Sequence, residues 1–117
     1  MTDTPTNPEL VERMIQACKN IIFATSRLHS PEDVAKDDFA IENMETCMVI
    51  ILESYDELNQ VSKGQLGKID WEEPKVFAQA LRKREKDEKD FKLLYRLCKD
   101  YIPTLQNKLS SEINNIL

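Results

Sequence analysis

Apolar side chains return every three or four residues through most of this chain, and little interrupts them. Leu10, Met14, Cys18, Ile21, Ile22, Thr25 and Leu28 form one stripe. Ala40, Met44, Cys47, Met48, Ile51, Tyr55 and Leu58 form a second. Trp71, Phe77 and Leu81 begin a third. Phe91, Leu94, Leu97, Cys98, Tyr101, Ile102, Leu105, Leu109, Ile113 and Ile116 form a fourth. Such spacing marks one buried face of an α-helix. The chain of 117 residues holds only two glycines, too few for the many tight turns of an all-β fold. The sequence therefore predicts an all-α fold. Its simplest form is an up-down bundle of about four main helices, with a short helical turn near residues 31–36. Residues 1–7 read as a flexible N-terminus and residues 8–117 as a single helical-bundle domain.

Local signals place the boundaries. Asn7-Pro8-Glu9 reads as a cap followed by a first-turn proline, starting a helix that runs to about Leu28. Ser30-Pro31 repeats the signal for the short turn, which ends near Lys36. Asp37 or Asp38 is expected to cap the second long helix, which continues to about Ser62. Residues 62–69 contain both glycines and read as a loop. Asp70 or Glu73 then starts the next helix, with Pro74 confined to its first turn. From Arg82 to Asp90 every residue is charged. Pairs four apart, such as Lys83 with Asp87, suit one continuous solvated helix. The lapse of the apolar stripe suits a charged turn equally well. Pro103 should kink or divide the last helix.

Charge narrows the function. The net charge is −5. Residues 31–60 carry nine acids against one base, Lys36, while residues 61–100 carry eleven bases and eight acids. Nucleic-acid binding needs a basic patch, so the acidic segment disfavours it. The longest uncharged apolar run, residues 47–52, is far too short to span a bilayer. Met1 to Asn7 has no basic cluster, so no signal peptide is expected. Cys18, Cys47 and Cys98 stand far apart with no metal-ligand spacing. They read as small buried hydrophobes of a cytoplasmic protein.

Few residues suggest catalysis. Glu42-x-x-Glu45 and Glu53-x-x-Asp56 look like the carboxylate pairs with which all-α pyrophosphohydrolases hold Mg²⁺. At 100° per residue the four acids fall within an arc of about 80°, opposite the apolar stripe. The two pairs lie about 16 Å apart on one helix. They therefore face solvent, and no metal site is expected. His29 is the one histidine and reads as a cation at the end of the first helix. Gly64-Gln-Leu-Gly67 and the nearby lysines lack the α/β setting of a nucleic-acid or phosphate loop. Trp71 reads as a packing residue at a helix start.

The order of features resembles the HepT-like branch of the HEPN all-α superfamily across most of the chain. The resemblance rests on four stretches of this sequence. They are Ser30-Pro31-Glu32-Asp33-Val34, Ala40-Ile41-Glu42-Asn43-Met44, Ile69-Asp70-Trp71, and Asp90-Phe91-Lys92-Leu93-Leu94-Tyr95 continuing to Tyr101-Ile102-Pro103-Thr104-Leu105. Ribonucleases of that family carry an Arg and, a few residues later, a His before the final helix. Arg82 or Arg84 matches the Arg, but no His follows. The resemblance thus implies a non-catalytic relative, of a kind that commonly forms homodimers.

These readings converge on a non-enzymatic acidic protein that binds another protein as a regulatory, antitoxin-like or inhibitor-like module. No cofactor is expected. Glu42, Glu45, Glu53 and Asp56 are the candidate partner-binding residues, since a one-signed face selects and steers an opposite partner. Homodimerisation through the stripe of the second long helix or the C-terminal helix is also expected. Two alternatives remain. One is a divergent HEPN-type ribonuclease or Mg²⁺-dependent pyrophosphohydrolase using Arg82, Arg84 or the four carboxylates. The other is a charge-mimicking inhibitor of a nucleic-acid-binding protein.

Overall fold

Caps, turns and breaks divide the stripes into seven α-helices in the computed structural model, which describes residues 4–116. They are α1 (Asn7–Ala24), α2 (Pro31–Ala35), α3 (Asp38–Glu57), α4 (Gln60–Gln65), α5 (Glu73–Arg82), α6 (Glu88–Arg96) and α7 (Ile102–Glu112). The first three of the residues read as a flexible N-terminus lie outside the described residues. No strand occurs among the described residues, and none of the helices is long and apolar enough to cross a membrane.

The start of α1 differs from expectation. Thr6, not Asn7, is the cap: its Oγ1 accepts from the Glu9 amide at 3.2 Å, and Glu9 reaches back to the Thr6 amide. Asn7 instead accepts a hydrogen bond from the Asn59 amide at 3.3 Å, tying the start of α1 to the region after α3. The helix ends at Ala24, short of Leu28. His29 therefore does not cap it. Lys99 does, donating from Nζ to the Thr25 carbonyl at 2.8 Å. Ser30 and Asp37 cap α2 and α3 as their sequence signals require.

α3 stops at Glu57 rather than Ser62. Leu58 is extended, and Asn59 accepts from the Ser62 amide at 2.8 Å to open α4. The stretch read as a loop, 62–69, therefore begins inside α4, which starts at Gln60 and runs to Gln65. Gly67 closes that helix. A side chain there would bring Cβ within 3.1 Å of the Gly64 carbonyl oxygen. Asp70 Oδ1 then receives the Glu72 and Glu73 amides at 3.0 and 3.1 Å, so α5 starts at Glu73 with Pro74 in its first turn.

The charged stretch resolves into a turn. Lys83 leaves the helical conformation, and α6 begins only at Glu88. Pairing of Lys83 with Asp87 is replaced by a bond from Lys83 Nζ to Asp90 Oδ1 at 3.0 Å. Asp87 and Asp90 cap each other's backbone amides, both at 2.9 Å. Asp90 is buried in this arrangement. Pro103 does divide the final helix, with an added device. Residues 97–101 form a π-helical turn whose closing bond runs from the Ile102 amide to the Leu97 carbonyl. The wider turn lets the chain enter α7 with proline in its first turn, where no amide is needed.

α3 lies against α1, α7 closes on α1, and α5 joins α3 to α6, so four main rods enclose one core. Met14, Cys18, Ile21, Met44, Met48, Ile51, Phe77, Leu94, Ile102 and Leu105 are essentially inaccessible there. The stripes of α3 and α7 are thus buried within this chain.

Two measurements probe this fold. The Asp87 amide and Lys83 hold the Asp90 carboxyl below its ordinary pKa. A depressed carboxylate stabilises above its unfolded pKa, and that contribution fades as pH falls through the folded value. Asp90→Asn is expected to cost about 1–2 kcal/mol at neutral pH. In urea unfolding, the gap from wild type should narrow in acid; a gap independent of pH would contradict the assignment. Burial, with Cys47 adding to it, pushes the Cys18 thiol up to about 12, and burial raises Cys47 and Cys98 too. Alkylation near pH 8 should therefore be slow in the native protein and complete in denaturant.

Candidate functional site

Burying one side of α3 dictates what the other side shows. Ala40, Met44, Cys47, Met48, Ile51 and Ser54 face the core. Every charged residue of this helix is then exposed, and all of them are acids: Asp38, Glu42, Glu45, Glu53, Asp56 and Glu57. None enters an ion pair among the described residues. The pairs there are Lys75–Glu72, Lys83–Asp90, Lys92–Glu88 and Arg96–Glu73. Asp56 and Glu57 occupy the last turn of α3, which has no base. That end of a helix carries partial negative charge, so each acid there is unfavourable by about 0.3–1 kcal/mol. Helix stability does not account for these residues.

Beside this face runs a groove of about 490 Å³ between α3 and α5. Glu45, Glu53 and Asp56 line it. Glu42 does not; it lies one turn back on the same face, in a shallow depression with Glu45, Thr46, Val49 and Ile50. Met48 and Leu81 form the buried floor of the groove, and Val49, Leu52 and Ala78 offer further apolar surface. Lys75 and Arg82 of α5 stand on the bank facing the acids, with Glu72 beside Lys75 and paired to it at 3.1 Å. Arg82 also lines the groove, yet no ion pair joins it to Glu45 or any other carboxylate among the described residues. Arg84 lies apart from it, in the exposed turn.

One end of the groove is built of aromatic rings. Trp71 stacks on Tyr55 with ring centroids 4.1 Å apart, and Lys63 sits 5.6 Å from the Tyr55 centroid on the ring face. The indole Nε1 donates to the Leu66 carbonyl at 3.1 Å. Trp71 therefore packs, as its sequence position suggests, and its partly exposed ring forms the end wall.

Reading each helix alone finds the acids and misses the bank opposite. Val49 and Leu52 lie off the core stripe of α3, and Ala78 is too small to draw notice. The one available signal was a second set of three- and four-residue steps, outside the buried stripe. The arrangement can hold an elongated amphipathic surface and offers no nucleophile–base pair. Among the described residues, no three His, Cys, Asp or Glu side chains gather closely enough to hold a metal ion.

Comparison of the chain with family models, with curated proteins and with solved structures gives no match.

Proposed function

We propose that this chain is a non-enzymatic binding module, and that the outward face of α3 engages a basic surface on a partner protein. One observation carries the reading. Among the described residues none of the six carboxylates of α3 enters an ion pair, and two of them sit where the helix disfavours negative charge. Charges kept against local stability are better explained by what they meet outside the chain. Three buried free thiols suit the reducing cytoplasm. Two copies meeting through α3 would set acid against acid, so the partner on this face is a different protein. A homodimer of the kind expected from the sequence would use another surface.

The test is capture from the protein's own cells, with identification by mass spectrometry. Wild type should retain a basic protein at low salt and release most of it as screening increases. The combined variant Glu42→Gln, Glu45→Gln, Glu53→Gln and Asp56→Asn should lose at least about tenfold of the recovery. Equal recovery by the variant overturns the site. Release of the captured protein by added nucleic acid would identify the chain as a charge-mimicking inhibitor. Hydrolysis of RNA or nucleoside triphosphates with Mg²⁺ or Mn²⁺ would overturn the non-enzymatic reading.

A second expectation separates binding from folding. Asp56→Asn and Glu57→Gln should each raise unfolding stability by about 0.3–1 kcal/mol. Asp56→Asn should weaken partner retention in the same preparation. Loss of stability would show instead that these acids serve the fold.

A further inference from the structure

The groove between α3 and α5 has two walls with one spacing. On α3 the wall is Glu45, Val49, Leu52 and Asp56, in steps of four, three and four residues. On the other side it is Trp71, Lys75, Ala78 and Arg82, in the same steps. Along α3, and along α5 from Lys75 to Arg82, such a line stays within about 60° of one direction at 100° per residue, while Trp71 stands just before α5. It is the spacing with which one helix receives the side chains of another. The Tyr55–Trp71 contact puts the end of α3 beside the start of α5, so the two walls run in opposite directions.

The α3 wall is apolar at Val49 and Leu52 and acidic at both ends; across from it Ala78 lies between Lys75 and Arg82, and Trp71 closes the far end. Val49 is 43% exposed, and Leu52 and Ala78 are half-buried, so these residues are not consumed by the core. Met48 beneath them can adjust to what enters. Among the described residues no ion pair crosses the gap: Lys75 pairs with Glu72 on its own bank, and Arg82 enters none. Ala78 leaves the space, and Lys75 and Arg82 remain at its rim.

We infer that the groove receives one amphipathic helix of the partner protein, with basic residues along one edge and acidic residues along the other. This rests on the protein-binding reading above and specifies the partner's form. The wall from Glu45 to Asp56 is about 16 Å long, which accommodates about three helical turns. The basic edge lies along Glu45, Glu53 and Asp56, and the acidic edge along Lys75 and Arg82. Turning a helix end for end exchanges its edges. The two banks therefore also fix the direction in which the bound helix runs. A helix this short is marginal alone in water, so it is either held by the rest of the partner or folds on docking.

Three synthetic helical peptides test the inference on the full chain. All carry the same leucine stripe in three- and four-residue steps. Their edges are Lys and Glu, Lys and Lys, or Glu and Glu. Fluorescence anisotropy should rank the mixed-edge peptide first, about five- to tenfold tighter than the Lys/Lys peptide at low salt. The double variant Lys75→Glu, Arg82→Glu should reverse that order and favour the Lys/Lys peptide. Both substitutions are at exposed positions, and circular dichroism checks that each variant stays folded.

If the Lys/Lys peptide binds tightest to wild type and the α5 variant changes nothing, the groove inference falls while the acidic face stands. If no peptide binds although the basic protein is captured through α3, the groove inference falls again. Failure of the acidic-face reading appears separately, as undiminished capture by the neutralised α3 variant.

Discussion

The burial of one side of α3 against the rest of the bundle is the constraint on which the other features depend. A helix repeats every 3.6 residues, so fixing Met44, Met48 and Ile51 in the core fixes every other position around the rod. Glu42, Glu45, Glu53 and Asp56 have then nowhere to go but solvent. The same rotation places Val49 and Leu52 beside α5. A bundle with the same stripe and other outward residues would keep this fold and lose both the acidic face and the groove wall.

Local backbone chemistry was well written in the sequence where it uses short side chains. Ser30 and Asp37 announce helices because each can accept a nearby backbone amide without help from distant residues. The failures share a cause. Leu58 continues the apolar stripe of α3 although the backbone has already left the helix, because a buried position can be filled from either conformation. Periodicity sees only the burial. Residues 83–87 carry charges that a helix or a turn tolerates alike, and the choice is made by Asp87 and Asp90 capping one another while Lys83 reaches back. His29 lost its expected place because the cation that reaches the end of α1 comes from Lys99, far along the chain.

The site was legible by half for a related reason. A one-signed helix face is a property of one segment and can be counted. A groove belongs to two segments, and its depth depends on how closely they approach. Ala78 makes the space between α3 and α5 by being small, a role that composition and spacing do not reveal. The pairing of Tyr55 with Trp71 likewise joins residues from separate helical regions. Charge sign was readable; the shape that gives the charges a geometry was not.

The packing of α7 against α1 has a consequence for the chain as it is made. The flank of α1 that α7 covers cannot be sealed by anything synthesised earlier in its place. Close to eighty residues separate the two helices, and at about 5–20 residues per second that interval is about 4–16 s. Throughout it, the growing polypeptide presents a greasy seam without its cover. Lys99, which donates to the Thr25 carbonyl in the folded chain, is made just ahead of α7. The covering of this flank is therefore a late event in synthesis.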